Sequence, residues 1–301
     1  MVKKSPVCNL CGSKDIALYL VSPNKSHAES ERYSTTSQKV AGEKLVICAN
    51  CGLVFVDPMP AKQTILAQYS QNSGRAYLFA EKGRLNTFER AIKLIQKYKK
   101  HGRLLDVGAA GGLFLKVAKD HGYNVLGVEP NVNLAKVASG TYGVKVVASA
   151  FESTQFRQKF DIITFWDTLE HINNPKSTLI KACQLLTKGG IVVINYPDIK
   201  SLWAKFFGRN WWFVVSGHLY YFSMATLNNY LESTGFKAIE NKKHWQTLDF
   251  AYLVYQLKRY NQRAAEFGYR WAKRLKLDRL SMPYWAGQTT TVAFKAMEAK
   301  C

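Results

Sequence analysis

The chain changes its hydrophobic rhythm near residue 100. Before it, apolar positions recur at helical spacing: Ile65, Leu66 and Tyr69, then Phe88, Ile92, Leu94 and Ile95. After it, short apolar runs alternate with amphipathic stretches. The runs predict strands at Arg103–Val107, Asn124–Glu129, Val144–Val147, Phe160–Trp166, Gly190–Tyr196, Phe236–His244 and Thr289–Ala296. Between them the spacing predicts helices near Leu113–His121, Asn133–Tyr142, Pro175–Thr187 and Ala225–Gly235. Asn174 before Pro175 is a natural helix entry, an N-cap ahead of a residue with no amide to satisfy. Gly122, Gly189 and Gly235 stand where helices stop. Strand–helix alternation of this kind predicts an α/β, doubly wound, largely parallel sheet.

The first 60 residues follow a different logic. Cys8-Asn9-Leu10-Cys11-Gly12 and Cys48-Ala49-Asn50-Cys51-Gly52 are two C-x-x-C-G knuckles around a polar stretch from Ser22 to Gly42. Cysteines at that spacing aim two thiolates at one tetrahedral ion, and the glycine lets the chain turn around the sulfurs. The paired knuckles predict a structural four-cysteine zinc site at Cys8, Cys11, Cys48 and Cys51. Cys183 is expected to be a small core residue, and Cys301 is given no role. Three zones result: a zinc-binding module over 1–60, a helical cap over 61–101, and an α/β domain over 102–301. Two insertions, near 197–223 and 248–280, interrupt that last domain.

At Leu104-Leu105-Asp106-Val107-Gly108-Ala109-Ala110-Gly111-Gly112-Leu113-Phe114-Leu115 a strand passes through a glycine turn into a helix. The next strand ends Gly127-Val128-Glu129-Pro130, and an acid there can accept both hydroxyls of a ribose. A glycine turn alone fits a dinucleotide fold equally well. The turn and three further segments in order resemble the motifs of class I S-adenosylmethionine (SAM)-dependent methyltransferases. These are Gly127–Asn131, Phe160-Asp-Ile-Ile-Thr-Phe-Trp-Asp-Thr-Leu-Glu-His171, and Leu185-Leu-Thr-Lys-Gly-Gly190. The resemblance implies the seven-stranded Rossmann-like sheet of that family behind a small N-terminal zinc ribbon, with SAM as cofactor. Ala110 stands where the family has the middle glycine of its turn.

Carried onto this chain, the resemblance places Gly108 and Gly112 under the methionine part of SAM, within a cradle that includes Ala109 and Phe114. Glu129 holds the ribose with support from Pro130 and Asn131, and Ala150 and Phe151 flank the adenine. Asp167 faces the methionine amine or the acceptor. Asp106 has two readings, an indirect contact to that amine or a brace for the turn. Tyr69 and Tyr77 fall where related enzymes close a helix over the cofactor, with core packing as the alternative.

His218 heads a stretch His-Leu-x-x-Phe-Ser-x-x-Thr-Leu similar to bacterial small-molecule and glycan methyltransferases of the UbiG-like group. The resemblance turns His218 toward the acceptor, for binding or proton transfer; the alternative is a histidine that pins its loop. Glu170 and His171 are the other base candidates, His171 also reading as a loop brace. The expected activity is methyl transfer to a small molecule or glycan, such as a nucleotide sugar or a lipid-linked or surface polysaccharide sugar. Methylation of RNA or DNA is the alternative.

Among 301 residues the formal net charge is +21. Such a field favours anionic partners without choosing among them. No run approaches the ~20 apolar residues of a membrane span, and no apolar stretch follows the basic N-terminus, so a cytoplasmic protein is expected. The segment Ser201–Phe213 mixes aromatics with Lys and Arg, which suggests a substrate lid or an interfacial surface. Within Phe250–Leu277, Leu253, Leu257, Tyr260, Ala264, Phe267 and Trp271 form a helical stripe among basic residues. It reads as a membrane-lying face, or as core or a dimer face.

Overall fold

The parallel strands at the centre are apolar on both faces, so they must be covered on both. The computed structural model describes residues 6–21, 43–70, 81–249, 262–275, 281–296 and 301. Strands β1 (Ile16–Val21), β2 (Lys44–Cys48) and β3 (Val54–Asp57) come first, then helices α1 (Lys62–Ser70) and α2 (Glu81–Gln96). The alternating region follows as β4 (Arg103–Val107), α3 (Leu113–Asp120), β5 (Asn124–Val128), α4 (Val132–Tyr142), β6 (Val146–Val147), β7 (Phe160–Trp166), α5 (Pro175–Leu185) and β8 (Leu186–Pro197). The chain continues through α6 (Leu202–Phe207), β9 (Tyr220–Tyr221), α7 (Met224–Ser233), β10 (Phe236–Asp249), α8 (Gln262–Arg274) and β11 (Ser281–Lys295).

Seven strands form one sheet in the order β10-β11-β8-β7-β4-β5-β6. Strands β6, β5, β4, β7 and β8 are mutually parallel, whereas β11 runs antiparallel to both β8 and β10. Leu104, Leu105, Ile162, Ile163, Phe165 and residues Ile191–Ile194 are fully buried, as strands covered on both faces require. The order reverses between β4 and β7, which opens a cleft beyond their carboxyl ends.

Several strand boundaries differ from expectation. The strand expected at Val144–Val147 is only Val146–Val147, because Val144 packs into the core beside α3. Strand β8 begins at Leu186, while β10 and β11 run 14 and 15 residues as one long hairpin. Each strand of that pair supplies the other's hydrogen bonds, from Phe236↔Lys295 to Asp249↔Ser281, so pairing carries both past the apolar runs that announced them. Of the predicted helical stripe the structure describes only the later part. Leu253, Leu257 and Tyr260 lie outside the described residues, and on α8 Phe267 and Trp271 are exposed instead of packed.

The cysteine module is joined to the rest more closely than a leading ribbon would be. Its sheet has four strands, β1-β2-β3-β9, and the fourth comes from the segment just after His218. Val54 pairs with Tyr221 and Phe55 with Tyr220. The Tyr220 hydroxyl donates to the Asn173 carbonyl (3.0 Å), and the Asn173 side-chain amide donates to the Pro60 carbonyl (3.0 Å). The cysteines outside the module also differ from expectation. Cys183 is in the core but is paired with Cys301, their Cα atoms 5.8 Å apart.

Candidate active site and metal centre

The glycine turn between β4 and α3 is held by the acid of the neighbouring strand. Glu129 Oε2 accepts the Ala110 amide (2.9 Å) and Oε1 accepts the Asn131 amide (2.8 Å). The Tyr69 hydroxyl also bonds to this carboxylate, and burial pushes Glu129 up to about 7 against these three hydrogen bonds. A carboxylate has about four lone-pair positions, so one that accepts two amides and a hydroxyl has the chemistry to take ribose hydroxyls where the tyrosine stands. The donor set therefore fits SAM's ribose. Asn131 caps α4 by accepting the Asn133 and Leu134 amides, and its side-chain amide donates to the Tyr69 carbonyl (3.1 Å). Thus the end of α1 is fastened to the loop after β5 through Tyr69. Tyr77 lies outside the described residues.

The turn has steric reasons for its glycines. A Cβ on Gly108 would sit 2.5 Å from Thr168 Oγ1, and one on Gly112 would sit 2.6 Å from Ala138 Cβ. Both have positive φ. Ala110 shares that left-handed conformation at φ 45° without being glycine, a strain of about 1 kcal/mol. Behind the turn, Ala109 and Phe114 are buried, and the Phe114 ring lies against Trp166 (5.0 Å) and Phe88 (5.3 Å). Phe151 likewise packs its ring into the core beside Phe156 and Phe165. For these two phenylalanines the side chain is core, which leaves only backbone to face a cofactor. Ala150 precedes the turn that contains Phe151, and Pro130 is half-buried next to Glu129. Asp106 is buried and accepts the Thr164 hydroxyl (2.6 Å); burial, then the nearby Glu129 charge, raises it to about 8.

At the end of β7, Asp167 is the second non-glycine residue with positive φ, 48°. Its Oδ1 accepts the side-chain amides of Asn195 (2.7 Å) and Gln288 (2.5 Å). Burial raises it to about 6, opposed by the charge of Arg84 and by those two bonds. From Gln288 the hydrogen bonds continue through Gln246 (2.6 Å) to the Tyr284 hydroxyl. In parallel, Asn195 joins Thr290 (3.2 Å), which meets His244 Nδ1 (2.9 Å). None of Arg84, Asn195, His244, Gln246, Tyr284 or Gln288 was singled out from sequence. They carry no motif: the β7–β8 pairing brings Asn195 to Asp167, helix α2 brings Arg84, and the antiparallel return of β11 and β10 brings the others.

Glu170, His171 and His218 come together on the other side of Asp167. Their ligand-capable atoms all lie within 4.8 Å of one another. The two imidazoles are 4.7 Å apart, nearly perpendicular. His171 Nδ1 donates to the Gly217 carbonyl (2.7 Å), which leaves its Nε2 as a bare acceptor. His218 is buried with no hydrogen bond to Nδ1, and neither Glu170 oxygen is bonded to another described residue. Burial lowers both histidines, His218 well below the usual value with the neighbouring His171 adding to it. Burial, then the Asp167 charge, raises Glu170 well above the usual carboxylate range. Burial thus works against the charged form of each of the three groups.

The four module cysteines also meet. Cys8 and Cys51 sulfurs are 3.5 Å apart, Cys11 and Cys48 are 3.6 Å apart, and all four lie within 4.8 Å of one another. Thiolates about 2.3 Å from a tetrahedral zinc have sulfur–sulfur edges of nearly 4 Å, so the set fits that ion. The two knuckles repeat one backbone pattern. The Gly12 and Gly52 amides donate to Cys8 and Cys48 carbonyls, and the Cys8 and Cys48 amides donate to Ser13 and Leu53 carbonyls. For Cys11, burial works upward, but hydrogen bonds from the Ser13 amide, Asn50 and neighbouring thiols outweigh it and lower the thiol to about 6.

A family model described as a methyltransferase domain matches residues 79–241, more than half of the chain. Ubiquinone biosynthesis O-methyltransferase of Dechloromonas aromatica is 31% identical over 119 residues, 37% of this chain and 49% of that protein. The same-named protein of Coxiella burnetii is 34% identical over 113 residues, 36% of this chain and 46% of that protein. The chain thus matches about half the length of these curated relatives. Among solved structures, a chain in the complex between the Haloferax volcanii Trm112 methyltransferase activator and a protein assigned as a methyltransferase superposes with a TM-score of 0.51. It is 14% identical, over 72% of this chain and 93% of that one, a likeness of fold alone. With the strand order, the glycine turn and the matched family model in agreement, the chain belongs to the methyltransferase-domain family and has the class I SAM-dependent fold.

Proposed function

We propose that this protein transfers the methyl group of SAM to a hydroxyl of an anionic small molecule or glycan. The observation that carries the reading is the buried pair Glu170 and His218 beside Asp167, with both Glu170 oxygens and His218 Nδ1 unpaired, at the carboxyl edge of a sheet whose opposite lip carries Glu129. Bound there, SAM supplies a sulfonium methyl already activated for in-line displacement. The protein's work is then alignment and removal of one proton.

His218 Nδ1, which has no hydrogen bond of its own, takes the proton of the acceptor hydroxyl. His171, held by Gly217, keeps that ring oriented, and burial disfavours the charged form of Glu170, which would repel an anionic acceptor. Asp167 and its amide partners Asn195 and Gln288 line the side from which a polyhydroxylated acceptor approaches. The four module cysteines hold a structural zinc that takes no part in the step.

The test has two stages. Calorimetry should show SAM binding to the wild type, and Glu129→Ala should weaken it at least about tenfold, the scale of charged hydrogen bonds lost. Unchanged affinity in that variant would overturn the cofactor site. Transfer of tritiated methyl into cell-extract fractions should label the small-molecule or glycan fraction, whereas label confined to RNA would overturn the acceptor class.

A further inference from the structure

Residues 199–214 form an insertion with two unlike faces. Its inner face is well packed: Ala204, Trp211, Ile199 and Val214 are buried against Leu45, Val54 and Val56 of the cysteine module. The Ser201 hydroxyl caps α6 by accepting the Ala204 amide (3.2 Å), and the Trp203 indole donates to the Trp285 carbonyl (2.9 Å). The segment is therefore anchored from both sides.

Its outer face is apolar and uncovered. Phe206 is 80% exposed, Leu202 70%, and Trp203, Phe207 and Trp212 between 37% and 39%. The rings gather into one patch: Phe207 lies 5.0 Å from Phe206, 5.4 Å from Trp212 and 5.9 Å from Trp203. Lys200, Lys205 and Arg209 are exposed alongside. Between residues 198 and 213 the only acid is Asp198, whose carboxylate is engaged by the Lys200 amide and the Thr289 hydroxyl.

We propose that this face docks on an anionic phospholipid bilayer. Large apolar patches rimmed by polar groups mark interaction surfaces. Indole rings favour the depth where headgroups meet acyl chains, and Leu202 and Phe206 are placed to enter that boundary. Three exposed cations against one acid, Asp198, leave a net positive rim that matches phosphate headgroups, each cation worth roughly a five-fold gain in partition. A second copy is a poorer occupant, because a two-fold interface would set the same basic residues against each other. The inference is independent of the acceptor assigned above, since it rests on the outward rings and cations of the insertion and on a different measurement.

The full-length protein should sediment with vesicles of phosphatidylglycerol and phosphatidylcholine, and far less with phosphatidylcholine alone, with a blue shift of tryptophan emission. Phe206→Asp should lower the partition at least about tenfold, the scale of one buried Phe side chain. Lys205→Gln with Arg209→Gln should lower it about thirtyfold and remove most of its salt dependence. Both variants should keep wild-type SAM affinity, which shows that they are folded. Three results would overturn the proposal: a wild type that sediments with neither vesicle, equal partition of Phe206→Asp, or a dimer that Phe206→Asp dissociates while vesicles recruit nothing.

Discussion

The imidazoles of His171 and His218 stand 4.7 Å apart at 74° to each other, although 46 residues separate their loops. Two hydrogen bonds hold the loops together: His171 Nδ1 donates to the Gly217 carbonyl, and the Leu219 amide donates to the Glu170 carbonyl (2.8 Å). The same Leu219 offers its own carbonyl to the Val56 amide of β3 (3.0 Å). One residue thus ties the cysteine module to the proposed proton acceptor.

His218→Asn should lower methyl transfer by about 10²- to 10⁴-fold, the span for loss of a general base, while SAM affinity stays at the wild-type value. Because His218 is lowered, chiefly by burial, it remains neutral below pH 6.5. The acid limb of the rate profile should therefore fall below that of an ordinary histidine. A limb at 6.5 or above would contradict the assignment.

Metal removal should act on the acceptor side first. Chelation, or Cys48→Ser, frees the knuckles that hold β2 and β3, and through Val56 it loosens Leu219. The ring resonances of His171 and His218 in NMR spectra should shift or broaden. SAM affinity should change within about twofold, as for separated sites. Unmoved histidine resonances in the metal-free protein would break the link.

Ala110→Gly should stabilise the protein by about 1 kcal/mol by relieving a left-handed alanine, partly offset by the freer unfolded chain. The readout is the urea midpoint at constant slope, and a lower midpoint would refute the strain.

Asp106 carries a pH prediction. Its native pKa of about 8 lies above the ordinary 3.8, so the folded protein keeps a proton that the unfolded chain releases. The stability it contributes is complete below about pH 4 and is lost as pH rises towards 8. Asp106→Asn keeps a carbonyl for Thr164 and cannot ionise. Relative to wild type, the variant should gain stability steadily between pH 5 and pH 8 in urea titrations, and a constant difference would argue against a protonated aspartic acid there.

Much of this architecture can be read from the chain. Strand β7 and its neighbours announce themselves because parallel strands covered on both faces need continuous apolar runs. The Gly108–Gly112 turn and Glu129 are local: a strand end, a tight turn and a helix start lie within a few residues, so short-range sterics write them into the sequence. The two knuckles are local too, each made by four or five residues, and only their meeting depends on the fold. What tertiary structure decided is non-local. Nothing in Tyr220-Tyr221 marks them as the fourth strand of the cysteine module, because a two-residue strand has no period and takes its partner from whatever edge is presented. Gln288 and Gln246 look like ordinary strand residues until β11 returns antiparallel beside β8 and sets Gln288 against Asp167. Phe114 and Phe151 show the converse, since a motif assigns them to a cofactor while packing gives their rings to the core. The glycine turn and the acid that braces it were legible because each is built from neighbours in sequence. The acceptor side was only partly so, because it is assembled by contacts between segments 40 to 160 residues apart.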